Sequence, residues 1–128
     1  RFDLAALLLA SPPAGVTPVP LGALPANPVG QSVRALGYGR LTAGDGSSSG
    51  TRRAVTASIS ATTSTYFDFG NSAEGLCAGD SGGPSFLGAT LVGIHSRARG
   101  GACGVGVDIR VDAHRGFIDG FVAANDAP

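Results

Sequence analysis

The stretch of the sequence best suited to chemistry is residues 79–84, Gly-Asp-Ser-Gly-Gly-Pro. A serine nucleophile needs an exposed hydroxyl on a tight turn and backbone N–H groups that converge where an oxyanion forms. Small residues on both sides of Ser81 permit such a turn and let a substrate backbone approach closely. The alternative is an ordinary glycine-rich turn with a surface serine, but the whole six-residue string is rare by chance. The stretch therefore predicts a nucleophilic serine at position 81.

The composition narrows the class of protein around this turn. The chain has 128 residues, of which 43% are apolar, which is enough for one domain with a real core. Only 14% of the residues are charged and the net charge is zero. The chain therefore has no net positive electrostatic field that would attract nucleic acid or an anionic membrane. No apolar run approaches the roughly 20 residues that span a bilayer. We expect no membrane segment, no nucleic-acid partner and no cofactor.

The cysteines and histidines give no sign of a metal centre. Cys77, Cys103, His95 and His114 lack the spacing of a tetrahedral site, so no metal is expected. Two cysteines are also too few for a disulfide-rich scaffold. They form either one disulfide in an oxidising compartment or two buried thiols, and their positions alone leave both possibilities open.

The rest of the chain predicts short strands and turns, because it has 21 glycines and many serines and threonines. Strands are predicted at residues 3–10, 33–39, 53–65 with 66–69 as their continuation, 85–87 and 90–94 as a hairpin, and 105–111. Repeated prolines make residues 11–30 an extended connector over a surface. Apolar residues at helical spacing within 117–122, after the candidate N-cap Asp112, predict one short C-terminal helix on an all-β body.

The N-terminal residues need a separate interpretation. Residues 1–11 begin with an arginine and an apolar run, as a signal peptide does. Asp3 stands at the head of that run, where a charge is poorly suited to a signal. We therefore interpret residues 3–10 as a buried strand preceded by an acid, and we expect any true signal to lie upstream.

Residues 79–84 resemble the active-site signature of the trypsin/chymotrypsin family of serine proteases. Further segments resemble that family in the same order along the chain: 2–9 (Phe-Asp-Leu-Ala-Ala-Leu-Leu-Leu), 19–21, 33–39, 91–96 (Leu-Val-Gly-Ile-His-Ser) and 106–111 (Gly-Val-Asp-Ile-Arg-Val). The resemblance implies a fold of two six-stranded barrels with the site between them. Residues 1–10 would be the last strand of the first barrel, 11–30 the link, 31–111 an antiparallel Greek-key second barrel, and 112–128 the C-terminal helix and tail.

The same resemblance implies roles for individual residues. Ser81 would attack the scissile carbonyl of a peptide or protein substrate, and the N–H groups of Gly79 and Ser81 would form the oxyanion hole. Asp3 would hold a catalytic histidine in its productive tautomer. Asp80 would support the oxyanion loop through an ion pair with a group outside this chain. Cys77 and Cys103 match a family disulfide between the nucleophile loop and the substrate-binding loop.

The catalytic histidine of the family has no counterpart in this sequence. In the family's chain order the histidine precedes the aspartate and the serine, so it would lie upstream of Asp3. Neither His95 nor His114 stands at a matching position, and His114 is predicted to face solvent on the helix. We therefore expect these residues to be part of a longer protein whose first barrel carries the histidine, and to be inactive alone.

The resemblance also assigns the substrate pocket. Gly75 would form its base, and Leu76, Ala98 and Gly106 would form its walls, which implies a neutral pocket for small or medium apolar side chains. Ser96 belongs to the strand that would bind the substrate backbone.

Three further positions of this pocket depart from the common pattern. His95 stands where glutamate-specific relatives also carry histidine, so it either binds an acidic side chain or is an ordinary core histidine. Asp108 replaces a tyrosine and either favours a basic side chain or pairs with His95. Arg97 replaces an aromatic residue of the cleft. The preference for apolar, acidic or basic substrates stays open.

Two alternatives accompany the protease hypothesis. One is a homologue that keeps the fold only for binding. The other is an α/β-hydrolase esterase, because Ser81, Asp108 and His114 follow that fold's chain order. Pro84 opposes the helix that such a nucleophile needs, and no alternating helix–strand pattern is present. An insertion of vertebrate members is absent and one family disulfide is matched, which indicates a bacterial member, secreted or periplasmic.

Overall fold

The computed structural model describes residues 3–125. Residues 1–2 of the predicted first-barrel strand and residues 126–128 of the predicted tail lie outside the described residues. The described elements are the strands β1 (Ser32–Gly37), β2 (Arg53–Thr62), β3 (Tyr66–Phe69), β4 (Leu76–Cys77), β5 (Pro84–Leu87), β6 (Thr90–Arg99) and β7 (Cys103–Arg110), the helix α1 (Arg115–Asn125), and single 3-10 turns at Gly46–Ser48 and Asp112–His114.

Six of the strands close into a barrel in the order β3-β2-β1-β5-β6-β7, because β3 also pairs with β7. Each of these strand pairings is antiparallel, and the short β4 pairs with Cys103 and Gly104 at the start of β7. This confirms the predicted antiparallel six-stranded barrel with one short C-terminal helix. The α/β-hydrolase alternative needs a parallel sheet, so the strand directions exclude it.

The barrel is filled by side chains that alternate along its strands. On β2 the buried Ala57 and Ile59 alternate with exposed residues, as expected for a strand with one face toward water. The largest fully buried side chains are the Phe67 and Phe69 rings, whose centroids lie 6.1 Å apart. Burial of two rings contributes several kcal/mol, at roughly 25 cal/mol per Å² of apolar surface.

The prediction that residues 66–69 continue β2 is wrong. The Thr63 hydroxyl accepts hydrogen bonds from the N–H groups of Thr65 and Tyr66 at 3.3 and 3.1 Å. The Thr63 N–H also donates to the Tyr66 carbonyl at 2.8 Å. These bonds form a turn, which is a known role of threonine hydroxyls. The chain therefore reverses, and β3 forms a hairpin with β2.

The predicted connector lies along β6. The Leu91 N–H donates to the Pro20 carbonyl and the Gly22 N–H donates to the Leu91 carbonyl, both at 2.9 Å, while Leu24 enters the core. No strand is formed at residues 3–10, and Leu7 is 84% exposed. A strand needs partners for its backbone groups, and the family resemblance places those partners in the first barrel. The assignment of residues 1–10 to that barrel stays a prediction.

The C-terminal segment differs from its prediction in two side chains. Asp112 lies inside a 3-10 turn rather than at an N-cap position. Its carboxylate accepts the Leu24 N–H at 3.2 Å and both Nε and Nη2 of Arg110 at 3.0 and 2.7 Å, so it joins the connector to the end of β7. His114 was expected to face solvent but is buried, with its Nδ1 2.9 Å from the Arg110 carbonyl.

The contacts of Asp112 predict an acid-sensitive contribution to stability. Burial raises the pKa of Asp112, but the Arg110 hydrogen bond and charge and the N–H groups of Leu24 and Ala113 outweigh it and hold the pKa below 3.8. A carboxylate whose pKa is lowered on folding stabilises the fold at pH values above its unfolded pKa. This stabilisation is lost as the pH falls through its folded pKa. We expect Asp112→Asn to lower the free energy of unfolding by about 1 kcal/mol at pH 7.

This difference should shrink as the pH falls below 3.8 toward the lowered pKa of folded Asp112, because the carboxylate is then increasingly protonated and loses its charge. Urea titration of the full-length protein at pH 7 and pH 2.5 measures it. Asp119→Asn is the matched control, since its ion pair with Arg115 is exposed and is expected to contribute less than about 0.5 kcal/mol. An Asp112→Asn effect that is equal at both pH values would contradict the assignment.

Candidate active site

The turn that carries Ser81, the predicted nucleophile, connects β4 to β5 and leaves Ser81 exposed. Gly79 and Gly82 have φ angles of 98° and 81°, a region that glycine adopts without strain. The Gly82 N–H donates to the His95 carbonyl, and the His95 N–H donates to the Gly83 carbonyl, both at 2.8 Å. The backbone of β6 therefore fixes the turn from one side.

Two N–H groups of this turn have no acceptor among residues 3–125. They belong to Gly79 and Ser81, whereas their neighbours Ala78, Asp80 and Gly82 each donate to a backbone carbonyl. These are the two groups that the family resemblance assigns to an oxyanion hole, and that role stays a prediction.

The carboxylate of Asp80 supports this loop from within. One oxygen accepts the Gly39 N–H at 2.7 Å and the other accepts the Cys77 N–H at 2.8 Å. A Cβ atom at Gly39 would lie 2.6 Å from the Asp80 carboxyl carbon, so only glycine allows this approach. No ion pair of Asp80 is present among the described residues. The predicted ion pair with a group outside the chain stays a prediction.

Ser96 links the two predicted catalytic residues. Its hydroxyl donates to the Asp3 carboxylate at 2.8 Å, across 93 positions of sequence. The Ser81 hydroxyl oxygen lies 3.5 Å from the Ser96 carbonyl oxygen. Asp3 and Ser81 are both exposed and are thus brought to the same region of the surface by one residue of β6.

The disulfide between Cys77 and Cys103 is formed, as the family resemblance implied. The two residues also face each other in the β4–β7 pairing. The bridge fixes the start of the nucleophile loop to β7 and brings the loop at 101–102 next to Ser81.

His95 and Asp108 form a buried pair instead of lining a pocket. His95 Nδ1 lies 2.8 Å from an Asp108 carboxylate oxygen, and Nε2 lies 3.1 Å from the Leu36 carbonyl oxygen. Both side chains are fully buried. Of the alternatives that the sequence left open, the structure favours a core histidine and a pair between the two residues. Neither side chain is placed to bind a substrate charge.

The cavity next to Ser81 is small, with a volume of about 70 Å³. It is lined by Leu76, Cys77, Ala78, Asp80, Ser81, Arg97, Ala98, Gly101 and Ala102. Three predicted pocket residues, Leu76, Arg97 and Ala98, are therefore at the site. Ala78, Gly101 and Ala102 were missed, and the disulfide is the signal that could have found the last two.

Four predicted pocket residues are elsewhere. His95 and Asp108 are in the core, and Gly75 lines a separate cavity of about 200 Å³. Gly106 is buried, and a Cβ atom there would lie 2.5 Å from the Phe69 ring and 3.0 Å from Leu76 Cγ. The Phe69 and Leu76 side chains thus fill the space in front of Gly106.

Neither a metal site nor a membrane helix is found in the described part of the chain. Residues 3–125 hold no group of three or more histidine, cysteine, aspartate or glutamate side chains that could bind a metal ion. Their helices are also too short or too polar to cross a membrane.

The closed antiparallel barrel, with exposed Ser81 on its β4–β5 turn, matches the second barrel of a trypsin-like fold. Residues 1–118 match the family model described as Trypsin, and the chain therefore belongs to the trypsin family of serine proteases. A search of curated proteins finds no match.

Solved structures agree with this family. Neuropsin, a serine protease expressed in the limbic system of mouse brain, is 26% identical with a TM-score of 0.72 over 84% of this chain. A scabies mite inactivated protease paralogue shares the fold, with a TM-score of 0.64 over 84% of this chain at 19% identity. The chain spans about half of each of these structures, 54% and 53%.

Proposed function

We propose that these residues are the second barrel of a secreted serine endopeptidase that cleaves peptide bonds through an acyl-enzyme on Ser81. The observation that carries the proposal is the assembly of Asp3, Ser96 and Ser81 from three distant parts of the chain. A surface serine without a catalytic role has no need of this arrangement. The two unpaired N–H groups next to Ser81 give it further support.

The proposed reaction begins when Ser81 Oγ attacks the scissile carbonyl and gives its proton to a histidine of the upstream first barrel. Asp3 orients that histidine and stabilises the imidazolium. The carbonyl oxygen, now negative, accepts the N–H groups of Gly79 and Ser81. When the C–N bond breaks, the histidine gives its proton to the leaving amine. Water then hydrolyses the ester on Ser81 by the same steps and restores the free serine.

The histidine is assigned to the first barrel because the two histidines of this sequence have other partners. His95 is bonded to Asp108 and Leu36, and His114 is buried next to Arg110. The chain also spans only about half of the trypsin-like structures it matches, so a first barrel upstream fits both observations. We expect the 128 residues to be inactive alone. The disulfide supports export to an oxidising compartment.

Labelling with a fluorophosphonate probe tests this proposal, because the probe reacts with activated serines and not with ordinary hydroxyls. The full-length protein that contains these residues should be labelled once per molecule. Ser81→Ala should lose the label completely, because its nucleophilic oxygen is gone. Ser72→Ala is the matched control, since Ser72 is exposed on a neighbouring turn and should leave labelling unchanged.

The contrary result is equally informative. A folded and fully processed protein that takes up no label would refute the protease proposal. The non-catalytic homologue that uses this fold as a binding module would then be the better account.

A further inference from the structure

We infer that Arg97 makes this enzyme prefer substrates with an aspartate or glutamate side chain close to the cleaved bond. The inference rests on the proposed function and adds a substrate class to it. Arg97 and Ser81 line the same cavity of about 70 Å³, so a peptide that reaches Ser81 also passes the Arg97 side chain.

Arg97 is a cation without a carboxylate partner among residues 3–125. The contact it makes is with the Tyr66 ring, whose centroid lies 5.9 Å from its guanidinium carbon. Its side chain is exposed. An exposed guanidinium that is held over a ring presents its N–H groups in one plane, which suits the two oxygens of a carboxylate.

Arg99, on the same strand as Arg97, is an arginine whose charge is neutralised by a carboxylate. Its guanidinium lies 5.8 Å from the same Tyr66 ring. However, it donates two hydrogen bonds to Asp68, at 2.8 and 3.2 Å, and the pair is complete without a ligand. Arg99 does not line the cavity next to Ser81. The two arginines therefore share the guanidinium group and the contact with the Tyr66 ring. They differ because Arg99 is paired with a carboxylate and lies outside the cavity.

The other charges near the cavity cannot substitute for Arg97 or cancel it. Asp80 is the one other charged lining residue, and both of its carboxylate oxygens accept backbone N–H groups. His95 and Asp108 bind each other in the core. Asp3 accepts the Ser96 hydroxyl. The Arg97 guanidinium therefore remains unpaired, and a substrate carboxylate is the group that can pair with it.

Paired peptide substrates test this inference. Each pair carries aspartate against asparagine, or glutamate against glutamine, at one position near the cleaved bond. The full-length enzyme should cleave the acidic member with about tenfold higher kcat/KM in at least one position, because a charge-assisted hydrogen bond is formed. Arg97→Gln should bring that ratio to about one, and Arg97→Glu should make a lysine-containing peptide the better substrate. Arg99→Gln, the matched control, should keep the wild-type ratio.

The outcomes separate this inference from the proposed function. Equal cleavage of acidic and amide peptides by the wild-type enzyme would overturn the inference and leave the protease intact. An acidic preference that persists in Arg97→Gln would overturn it as well. Failure to cleave any peptide, together with no fluorophosphonate label, would overturn the proposed function first and the inference with it.

Discussion

Replacing Asp3 by asparagine is expected to lower kcat of the full-length enzyme about ten-thousand-fold without changing its fold. The change keeps the size of the side chain and an oxygen that can accept the Ser96 hydroxyl. It replaces the other carboxylate oxygen by an NH2 group, which holds the catalytic histidine in the wrong tautomer and cannot stabilise an imidazolium. Steady-state hydrolysis of a peptide substrate measures kcat, and thermal unfolding checks the fold.

Two control variants show whether the loss of kcat in Asp3→Asn is specific to catalysis. Ser96→Ala removes the hydrogen bond that holds Asp3 but leaves its charge, so we expect a much smaller loss, about tenfold. Asp119→Asn removes an exposed carboxylate of α1 and should leave kcat unchanged. If Asp3→Asn kept kcat within tenfold of the wild type, Asp3 would not orient the histidine.

The turn that carries Ser81 was predicted from the sequence alone. Its conformation requires glycine at positions 79 and 82, where φ is positive, and this requirement is recorded locally in the sequence. The barrel was predictable because the alternation of β2 and the hairpin of β5 and β6 are local patterns. Asp3 and the disulfide were identified through the family resemblance, since their partners lie far away in the sequence.

The pocket could not be predicted because it depends on strand register. His95 and Asp108 face each other across β6 and β7, and the register shifts between His95 and Arg97. Residues 95 and 97 would point to the same side of a regular strand, but this irregularity sends His95 into the core while Arg97 is exposed. The family resemblance placed both residues in one pocket. Interstrand register is set by long-range packing, which no local pattern records.

The pair between His95 and Asp108 has the largest expected effect on stability. Asp108 contacts Nδ1 of the His95 ring and the Leu36 carbonyl oxygen contacts Nε2, so both ring nitrogens have a partner in the core. Removing one member leaves the other buried without its partner, which costs about 3–5 kcal/mol. We therefore expect Asp108→Leu to lower the free energy of unfolding of the full-length protein by that amount in a urea titration.

The double variant His95→Phe with Asp108→Leu should recover much of this loss, because replacing a buried pair by apolar side chains of similar volume is often close to neutral. Asp68→Asn is the matched control, since it breaks the Asp68–Arg99 pair, in which the arginine side chain is 45% exposed, and should cost at most about 1 kcal/mol. If Asp108→Leu lowered the free energy of unfolding by less than about 1 kcal/mol, the buried pair would not have the predicted effect on stability. The backbone of His95 bonds to the Gly82 N–H and the Gly83 carbonyl of the turn that carries Ser81. We therefore expect Asp108→Leu also to lower kcat of the full-length enzyme, whereas the double variant keeps kcat.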